Sequence, residues 1–183
     1  MIIRPFKTTD IHDCATIHKL SRRASEKGVI FDSDLDRYDL NHFLDNWATW
    51  STYQETQIRV AVDENNMIVG FVMFGKIRTR PDFDRGVVPR YGAEIYALYI
   101  HPDHFRKGYG RALFHSACEN LIDQKLTSMI LWALKKNKRA CAFYETLGGE
   151  RIGKQRVDMG EKSWAEESCF GWRDIRKKIN EKP

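Results

Sequence analysis

The pattern of apolar and polar positions in the first third of the chain predicts a short strand followed by two helices. The strand covers Ile2–Pro5, the first helix runs from Thr9 or Asp10 to about Lys27, and the second runs from about Asp34 to Trp50. The first helix has Ile11, Ala15 and Leu20 among its apolar positions, and the second would bury Leu35, Leu40, Phe43, Leu44 and Trp47. Thr9 or Asp10 can cap the first helix, and Gly28 ends it.

Two runs rich in β-branched residues follow and predict a β-hairpin. They cover Ile58–Val62 and Ile68–Ile77, and the polar segment Asp63-Glu64-Asn65-Asn66 between them is typical of a turn. The next segment, Thr79–Gly92, is polar and contains two prolines. It predicts a long loop.

The second half of the chain alternates strands with helices. The pattern predicts strand Glu94–Ile100, helix Gly108–Lys125, strand Met129–Leu134 and helix Lys138–Leu147. Such alternation indicates parallel neighbouring strands. Two more strands then flank a turn at Met159–Lys162, and a short basic helix ends the chain. The whole order predicts an α/β fold with a mixed sheet of about seven strands and helices on both faces.

Composition limits the class of protein. The chain has 183 residues, of which 42% are hydrophobic and 30% are charged. This length fits one domain, 1–183, with an ordinary buried core. No apolar run approaches the roughly 20 residues that a bilayer-spanning helix requires, and the N-terminus shows no secretory signal. We therefore expect a cytoplasmic protein with no membrane partner.

Cysteine and charge add two exclusions. Cys14, Cys118, Cys141 and Cys169 lie far apart, which predicts buried thiols and neither a disulfide framework nor a metal site. The formal net charge is +5, but the positive residues are scattered among acidic ones, so we expect no nucleic-acid partner. An excess of positive charge also suits a polyanionic ligand.

A glycine-containing turn carries the first candidate chemistry. The strand that ends at Ile100 is followed by a turn, and Gly108 and Gly110 open an amphipathic helix. The N-terminus of a helix has unpaired N–H groups and a partial positive charge, so it binds phosphates well. The loop matches no Walker sequence, and Leu113 stands where a dinucleotide fingerprint has its third glycine. A diphosphate-binding turn and a tight turn into an ordinary helix both fit this segment alone.

A second motif follows the next strand. Asn137 can cap the helix after it, and the apolar residues of that helix share one face. Phe143 fits core packing, whereas the hydroxyl of Tyr144 requires a partner if it is buried.

Together the two motifs resemble the GNAT superfamily of acetyl-CoA-dependent N-acetyltransferases. The family's loop, [Gln/Arg]-x-x-Gly-x-[Gly/Ala], corresponds to Phe105–Gly110, and its second signature, Asn-x-x-Ala-x-x-Phe-Tyr-x-x-x-Gly, is matched in full from Asn137 to Gly148. The predicted order of elements follows the family over nearly the whole chain. Two positions depart from the pattern. Phe105 replaces the usual Gln or Arg, and Gly149 replaces a frequent Phe.

The resemblance implies roles for particular residues. The backbone of Leu98, Tyr99 and Ile100 would pair with the pantetheine arm of acetyl-CoA, and Asn137 would contact that arm. Tyr144 would protonate the leaving thiolate, since a phenol with a pKa of about 10 is neutral at physiological pH. The diphosphate would lie against the turn formed by Arg106, Lys107, Gly108, Tyr109, Gly110 and Arg111.

An ammonium group must lose a proton before the amine can attack. Glu94 is the candidate base, acting through water, and a strand-end carboxylate in solvent is the alternative.

The acceptor side is less specific in sequence. The family's segment between the first two helices lines the acceptor site, so Asp32, Asp34 and Asp36 could attract a cationic amine; helix capping with solvation is the alternative. The three aspartates resemble the start of an EF-hand, but Arg37 and Phe43 occupy the positions that need Gly and Glu, which argues against calcium binding. His101 and His104 are interpreted as turn residues. The Arg78–Arg85 loop is either a wall of the acceptor site or solvated.

The sequence therefore predicts an enzyme that transfers an acetyl group from acetyl-CoA to a primary amine, by direct attack in a ternary complex. A small-molecule amine is the first hypothesis for the acceptor. A protein or peptide acceptor, which would need a wider groove, is the second, and a non-catalytic acyl-CoA-binding module is the third. The final strands of this family often take part in dimers, so a homodimer is a further hypothesis.

Overall fold

The computed structural model describes residues 1–78, 91–161 and 163–179. Within them the chain forms a seven-stranded sheet in the order β1-β2-β3-β4-β5-β7-β6. Every pairing is antiparallel except that of β4 with β5, which is parallel. The predicted mixed sheet is confirmed. Its strands are β1 Ile2–Pro5, β2 Thr56–Val62, β3 Ile68–Lys76, β4 Ala93–Ile100, β5 Met129–Leu134, β6 Glu150–Asp158 and β7 Trp164–Trp172.

The helices lie on both faces of the sheet, as predicted, and each face has its own apolar core. They are α1 Ile11–Glu26, α2 Asp32–Asp36, α3 Leu40–Trp50, α4 Tyr109–Asp123, α5 Lys138–Thr146 and α6 Arg176–Ile179. One core joins the sheet to α4 and α5, and includes Leu113, Phe114 and Leu147. The other joins it to α1 and α3, and includes Phe43 and Trp47. All four cysteines are buried and free.

The prediction of a single helix from about Asp34 to Trp50 is wrong. The structure has two helices there, α2 and α3, with a break between Asp36 and Leu40. The cause is Asp39, whose backbone is extended and whose carboxylate accepts the N–H of His42 at 3.0 Å. An aspartate that caps a new helix in this way competes with continuation of the preceding one. The loop predicted at Thr79–Gly92 lies outside the described residues except for its last two.

A β-bulge in β4 sets the position of the site. The β3–β4 register shifts between Met73 and Phe74, which pair with Ala97 and Ile95, so Tyr96 is the extra residue. β4 and β5 pair only as far as Ile95 and Leu131. Because a bulge bends its strand and increases its twist, the two strands diverge beyond this point. A slot therefore opens in the middle of the sheet.

Candidate active site

The main cavity lies where β4 and β5 diverge, and its volume is about 540 Å³. Its walls are the second half of β4, the end of β5, the turn that leads into α4, and the first turns of α5. The cavity gathers most of the residues that the sequence singled out: Leu98, Tyr99, Ile100, Arg106, Gly108, Tyr109, Gly110, Arg111, Asn137 and Tyr144. Two predicted residues are not on its wall, namely Lys107, which is exposed, and Glu94.

The turn before α4 has the geometry of an anion-binding site. Arg106 and Gly108 both have left-handed backbones, with φ of 62° and 86°. Gly108 occupies the N-cap position of α4, and no side chain caps the first turn. The N–H groups there are thus left for a ligand, and they lie at the cavity wall. The turn fits the diphosphate of acetyl-CoA.

Gly110 has a different role from Gly108. A Cβ added at Gly110 would lie 3.3 Å from Cζ of Phe143, so the absence of a side chain allows α4 and α5 to approach each other. The two sequence motifs are thus in direct contact. At Gly108, by contrast, a Cβ would make only an ordinary contact of 3.7 Å with Cε of Met1, and glycine is favoured there by the positive φ.

Arg139 is a candidate that sequence reasoning missed. Its guanidinium lies 3.8 Å from the centroid of the Phe105 ring, and both residues line the cavity. Partial burial, followed by the nearby positive charge of Arg106, lowers the pKa of Arg139. Phe105 stands where the family usually has a polar side chain, and Arg139 places a cation beside it. The signal in the sequence was the Phe105 departure itself, but the partner was not identifiable before folding.

Asn137 caps α5, as predicted. Its Oδ1 accepts the N–H of Ala140 at 3.1 Å, and the residue lies on the cavity wall. Its contact with acetyl-CoA stays a prediction.

Tyr144 lines the cavity and is buried, with 7% of its surface exposed. Its ring packs against Phe143, Phe170 and Trp172. Burial, with smaller contributions from Tyr99 and Cys141, raises the pKa of the Tyr144 phenol above its usual value of 10. The group is therefore a neutral proton donor throughout the physiological range.

Glu94 is buried. The alternative interpretation from sequence, a carboxylate exposed to solvent, is therefore wrong. Only 5% of the residue is exposed, and one carboxylate oxygen accepts the backbone N–H of Arg78 at 2.9 Å. The Arg78 guanidinium lies 3.9 Å from the centroid of the Tyr96 ring. The remainder of the Arg78–Arg85 loop lies outside the described residues.

Two other carboxylates, which the sequence did not single out, do line the main cavity. Glu26 ends α1, and the Nε of Arg22 lies 2.9 Å from each of its carboxylate oxygens. Glu167 lies on β7 and accepts a hydrogen bond of 2.8 Å from the side chain of Gln155. In sequence, Glu167 is one of two adjacent glutamates in a strand, a pattern that does not separate it from a solvated face.

A second cavity of about 410 Å³ adjoins the first. Aromatic and histidine rings form most of its wall: His18, Tyr38, His42, Phe43, Trp50 and Tyr99. Tyr99 and Met159 line both cavities, so the two spaces are neighbours that share these residues as a wall. Arg22 and Asp158 are the charged residues on the wall of the second cavity.

The turn between β6 and β7 covers this second cavity from the side of α2. The Phe31 N–H donates to Oγ of Ser163 at 3.0 Å, and Gly160 packs so closely on Asp34 that a Cβ would lie 2.4 Å from its Cγ. Asp36 forms an ion pair with Arg23. Asp32, Asp34 and Asp36 line neither cavity, so a direct contact of these carboxylates with an amine in either space has no support.

Across the described ranges, no three His, Cys, Asp or Glu side chains are grouped so that they could hold a metal ion. His101 accepts the N–H of Asp103 in a short 3₁₀ turn, as expected of a turn residue. No helix among the described residues is both long enough and apolar enough to cross a bilayer.

Comparison with known proteins agrees with this geometry. The chain is 29% identical over 173 residues to the uncharacterised N-acetyltransferase YuaI of Bacillus subtilis (strain 168), a match that covers 94% of this chain and 93% of YuaI. Its fold is similar to that of a ribosomal-protein-alanine N-acetyltransferase from Brucella melitensis, with a TM-score of 0.69, 19% identity and coverage of 94% and 99%. It is also similar to yncA from Salmonella typhimurium, solved with its cofactor acetyl-CoA, with a TM-score of 0.66, 19% identity and coverage of 94% and 92%.

At these identities the two solved structures establish the fold alone. The model of the acetyltransferase (GNAT) family matches residues 17–148, which include both motifs and the whole of the slot between β4 and β5. The chain therefore belongs to the GNAT family, and it is an N-acetyltransferase whose acetyl donor is acetyl-CoA.

Proposed function

We propose that the protein acetylates the primary amine of a small molecule, by direct attack of the amine on acetyl-CoA in a ternary complex. The observation that carries this proposal is a pair of neighbouring cavities that share Tyr99 and Met159 as wall residues. The diphosphate-binding turn and Tyr144 both line the first cavity. The second provides a separate space for an acceptor, so that donor and acceptor can be bound at the same time.

The chain's own residues supply binding, orientation and a proton. The turn from Arg106 to Arg111 and the guanidinium of Arg139 bind the anionic end of the donor. The backbone of Leu98–Ile100 is the edge along which the pantetheine arm pairs as an added strand. Tyr144 holds the proton that the leaving sulfur requires.

The shape of the acceptor side favours a small molecule over a peptide. The β6–β7 turn is tied to the start of α2 by the Phe31–Ser163 hydrogen bond and by the Gly160–Asp34 contact. A peptide acceptor would need an open groove across this position. The aromatic wall of the second cavity suits the apolar part of a small amine.

The test is release of free thiol from acetyl-CoA across a panel of small amines and peptides. We expect turnover with at least one small primary amine and less with peptides. Turnover confined to peptides or proteins would favour the second hypothesis, and binding of acetyl-CoA without turnover would favour the non-catalytic module.

Cytoplasmic location and a homodimer stay predictions. Sedimentation of the purified protein tests whether it is a homodimer.

A further inference from the structure

Two carboxylates, Glu26 and Glu167, line the main cavity, and a third, Glu94, lies close enough to Glu167 to act on its charge. Glu94 pairs across the sheet with Ile130, and Glu167 pairs with Leu134. Residues paired on neighbouring strands project to the same face, and residues four apart on one strand share a face. Glu94 and Glu167 therefore project to the same face of the sheet. Glu26 approaches from the end of α1.

Their partners distinguish these carboxylates. Glu26 faces Arg22 with both oxygens, so its charge is neutralised by a guanidinium. Glu94 is buried, accepts the Arg78 N–H, and is not on the wall of either cavity. Glu167 lines the main cavity, together with Tyr99 and Tyr144, and its hydrogen-bond partner is the neutral amide of Gln155. Among the three, Glu167 combines access to the cavity with a carboxylate that forms no ion pair within the described part of the chain.

We propose that Glu167 is the carboxylate that takes a proton from the attacking amine, and that Glu94 acts on Glu167 from the same face of the sheet. This inference rests on the proposed function and deepens it. It assigns the sequence-predicted residue Glu94 an indirect role and places the proton acceptor on β7.

The proton balance is complete with these groups. The nitrogen–carbon bond forms as the carbon–sulfur bond breaks, and an ammonium nitrogen loses two protons on becoming an amide. Glu167 takes one of them and releases it to solvent. In the overall reaction, the second proton lost from nitrogen makes up for the proton that Tyr144 donates to the departing sulfur. No further reactant is required.

The electrostatic surroundings of Glu167 support the assignment. Burial raises the pKa of Glu167 above its usual value, Gln155 lowers it, and the charge of Glu94 raises it again. The other titratable groups that face this region are Tyr99 on β4, Glu26 and Arg22 on α1, Tyr144 on α5, and Cys169 on β7. A raised pKa brings a carboxylate closer to the ideal for a base at neutral pH.

The first experiment compares Glu167→Gln with Glu166→Gln. Glu166 is the adjacent residue on the opposite face of β7, where it pairs with Lys135, so it is a matched control. We expect Glu167→Gln to lower kcat about 100-fold or more, as loss of a general base does. Acetyl-CoA affinity and melting temperature should change little, and Glu166→Gln should behave as wild type. A normal rate in Glu167→Gln would overturn the proposal.

The second experiment uses the pH profile of kcat/KM, in which the fall in rate on the acidic side (the acidic limb) gives the pKa of the essential base. Glu94→Gln removes a negative charge beside Glu167, which lowers the pKa of Glu167, so the limb should move to lower pH while turnover persists. The Gln side chain can still accept the Arg78 N–H. If Glu94→Gln or Glu26→Gln instead abolishes turnover and leaves Glu167→Gln active, the assignment is wrong.

Two controls separate this proposal from the function on which it rests. Replacing the amine by one of different pKa moves a limb that belongs to the amine, but not one that belongs to Glu167. Titration of the Glu167 carboxyl by ¹³C NMR in wild type and Glu94→Gln gives the same comparison without turnover. Normal turnover in Glu167→Gln refutes this inference alone, whereas no turnover with any amine in wild type refutes the proposed function as well.

Discussion

Gly110 lies against the ring of Phe143, so closely that a Cβ on the glycine would be 3.3 Å from Cζ of the ring. These residues belong to different motifs, more than thirty positions apart in sequence. At this contact α4, which follows the phosphate-binding turn, meets α5, which carries Tyr144. A side chain at position 110 would therefore press on Phe143, the residue next to the proton donor Tyr144.

Gly110→Ala should therefore lower the free energy of unfolding by about 1 kcal/mol, the low end of the cost of overpacking. The same methyl group should be tolerated when Phe143 is Leu, because the shorter side chain leaves room. Chemical denaturation of the two single variants and the double variant measures this coupling. Strictly additive effects would contradict a direct contact.

Gly108 should respond to a different replacement. Its φ is positive, so Ala would cost roughly 1–2 kcal/mol, whereas Asn tolerates this conformation better. We expect Gly108→Ala to weaken acetyl-CoA binding more than Gly108→Asn does, measured by calorimetry. Equal affinities for the two variants would show that backbone conformation here does not control binding.

Arg139→Ala should raise the Kd for acetyl-CoA about tenfold, the loss expected for one charge-assisted contact. The reason is that Arg139 and Arg106 place two positive charges near one anionic ligand. The difference from wild type should shrink as salt rises. Lys138→Ala is the control, since Lys138 is the adjacent cation and does not line the cavity. An equal loss in both variants would indicate a general charge effect.

Tyr144→Phe should lower kcat more than tenfold and leave acetyl-CoA affinity nearly unchanged. Because burial raises the pKa of this phenol, it should contribute no basic limb to the wild-type profile near neutrality. Steady-state kinetics and equilibrium binding together test the two statements. Tyr53→Phe, at an exposed tyrosine away from both cavities, serves as the control. A full rate in Tyr144→Phe would remove Tyr144 from the mechanism.

His18 should make stability depend on pH. Burial, with the nearby charges of Arg22 and His42, lowers the pKa of His18 from 6.5 to about 3. The unfolded chain then takes up the proton first, so this contribution to stability is complete above pH 6.5 and is lost as the pH falls toward 3. Its slope is roughly 1.4 kcal/mol per pH unit.

Denaturation of His18→Phe across pH 4 to 7 isolates this contribution. The ring of His18 packs among Phe43, Phe71 and Tyr99, where a phenyl ring can substitute, and its Nδ1 is buried without a hydrogen-bond partner in the described structure. The variant should be less sensitive to acid than wild type, while His12→Gln, at an exposed histidine, should match wild type. An unchanged slope in His18→Phe would contradict the assignment.

The sequence predicted the sheet, the main helices and the two motifs whose residues line part of the main cavity, because each depends on local periodicity or on contiguous residues. The break between α2 and α3 was not predicted, since Asp39 is an ordinary helix-surface residue until its carboxylate binds the His42 N–H. Arg139 and Glu167 were missed for another reason. Their positions depend on Phe105 and on the β5–β7 register, contacts that exist only after distant segments come together.

The extra residue at Tyr96 has a consequence for how this fold could change. Without it, β4 could keep its register with β3 and continue to pair with β5 beyond Ile95, as the strands do before that point. The sheet would then be seamless, and its own backbone hydrogen bonds would occupy the edge that a pantetheine arm needs. Deletion of this one residue would thus give a more regular sheet in which the backbone of β4 is no longer free to bind the donor.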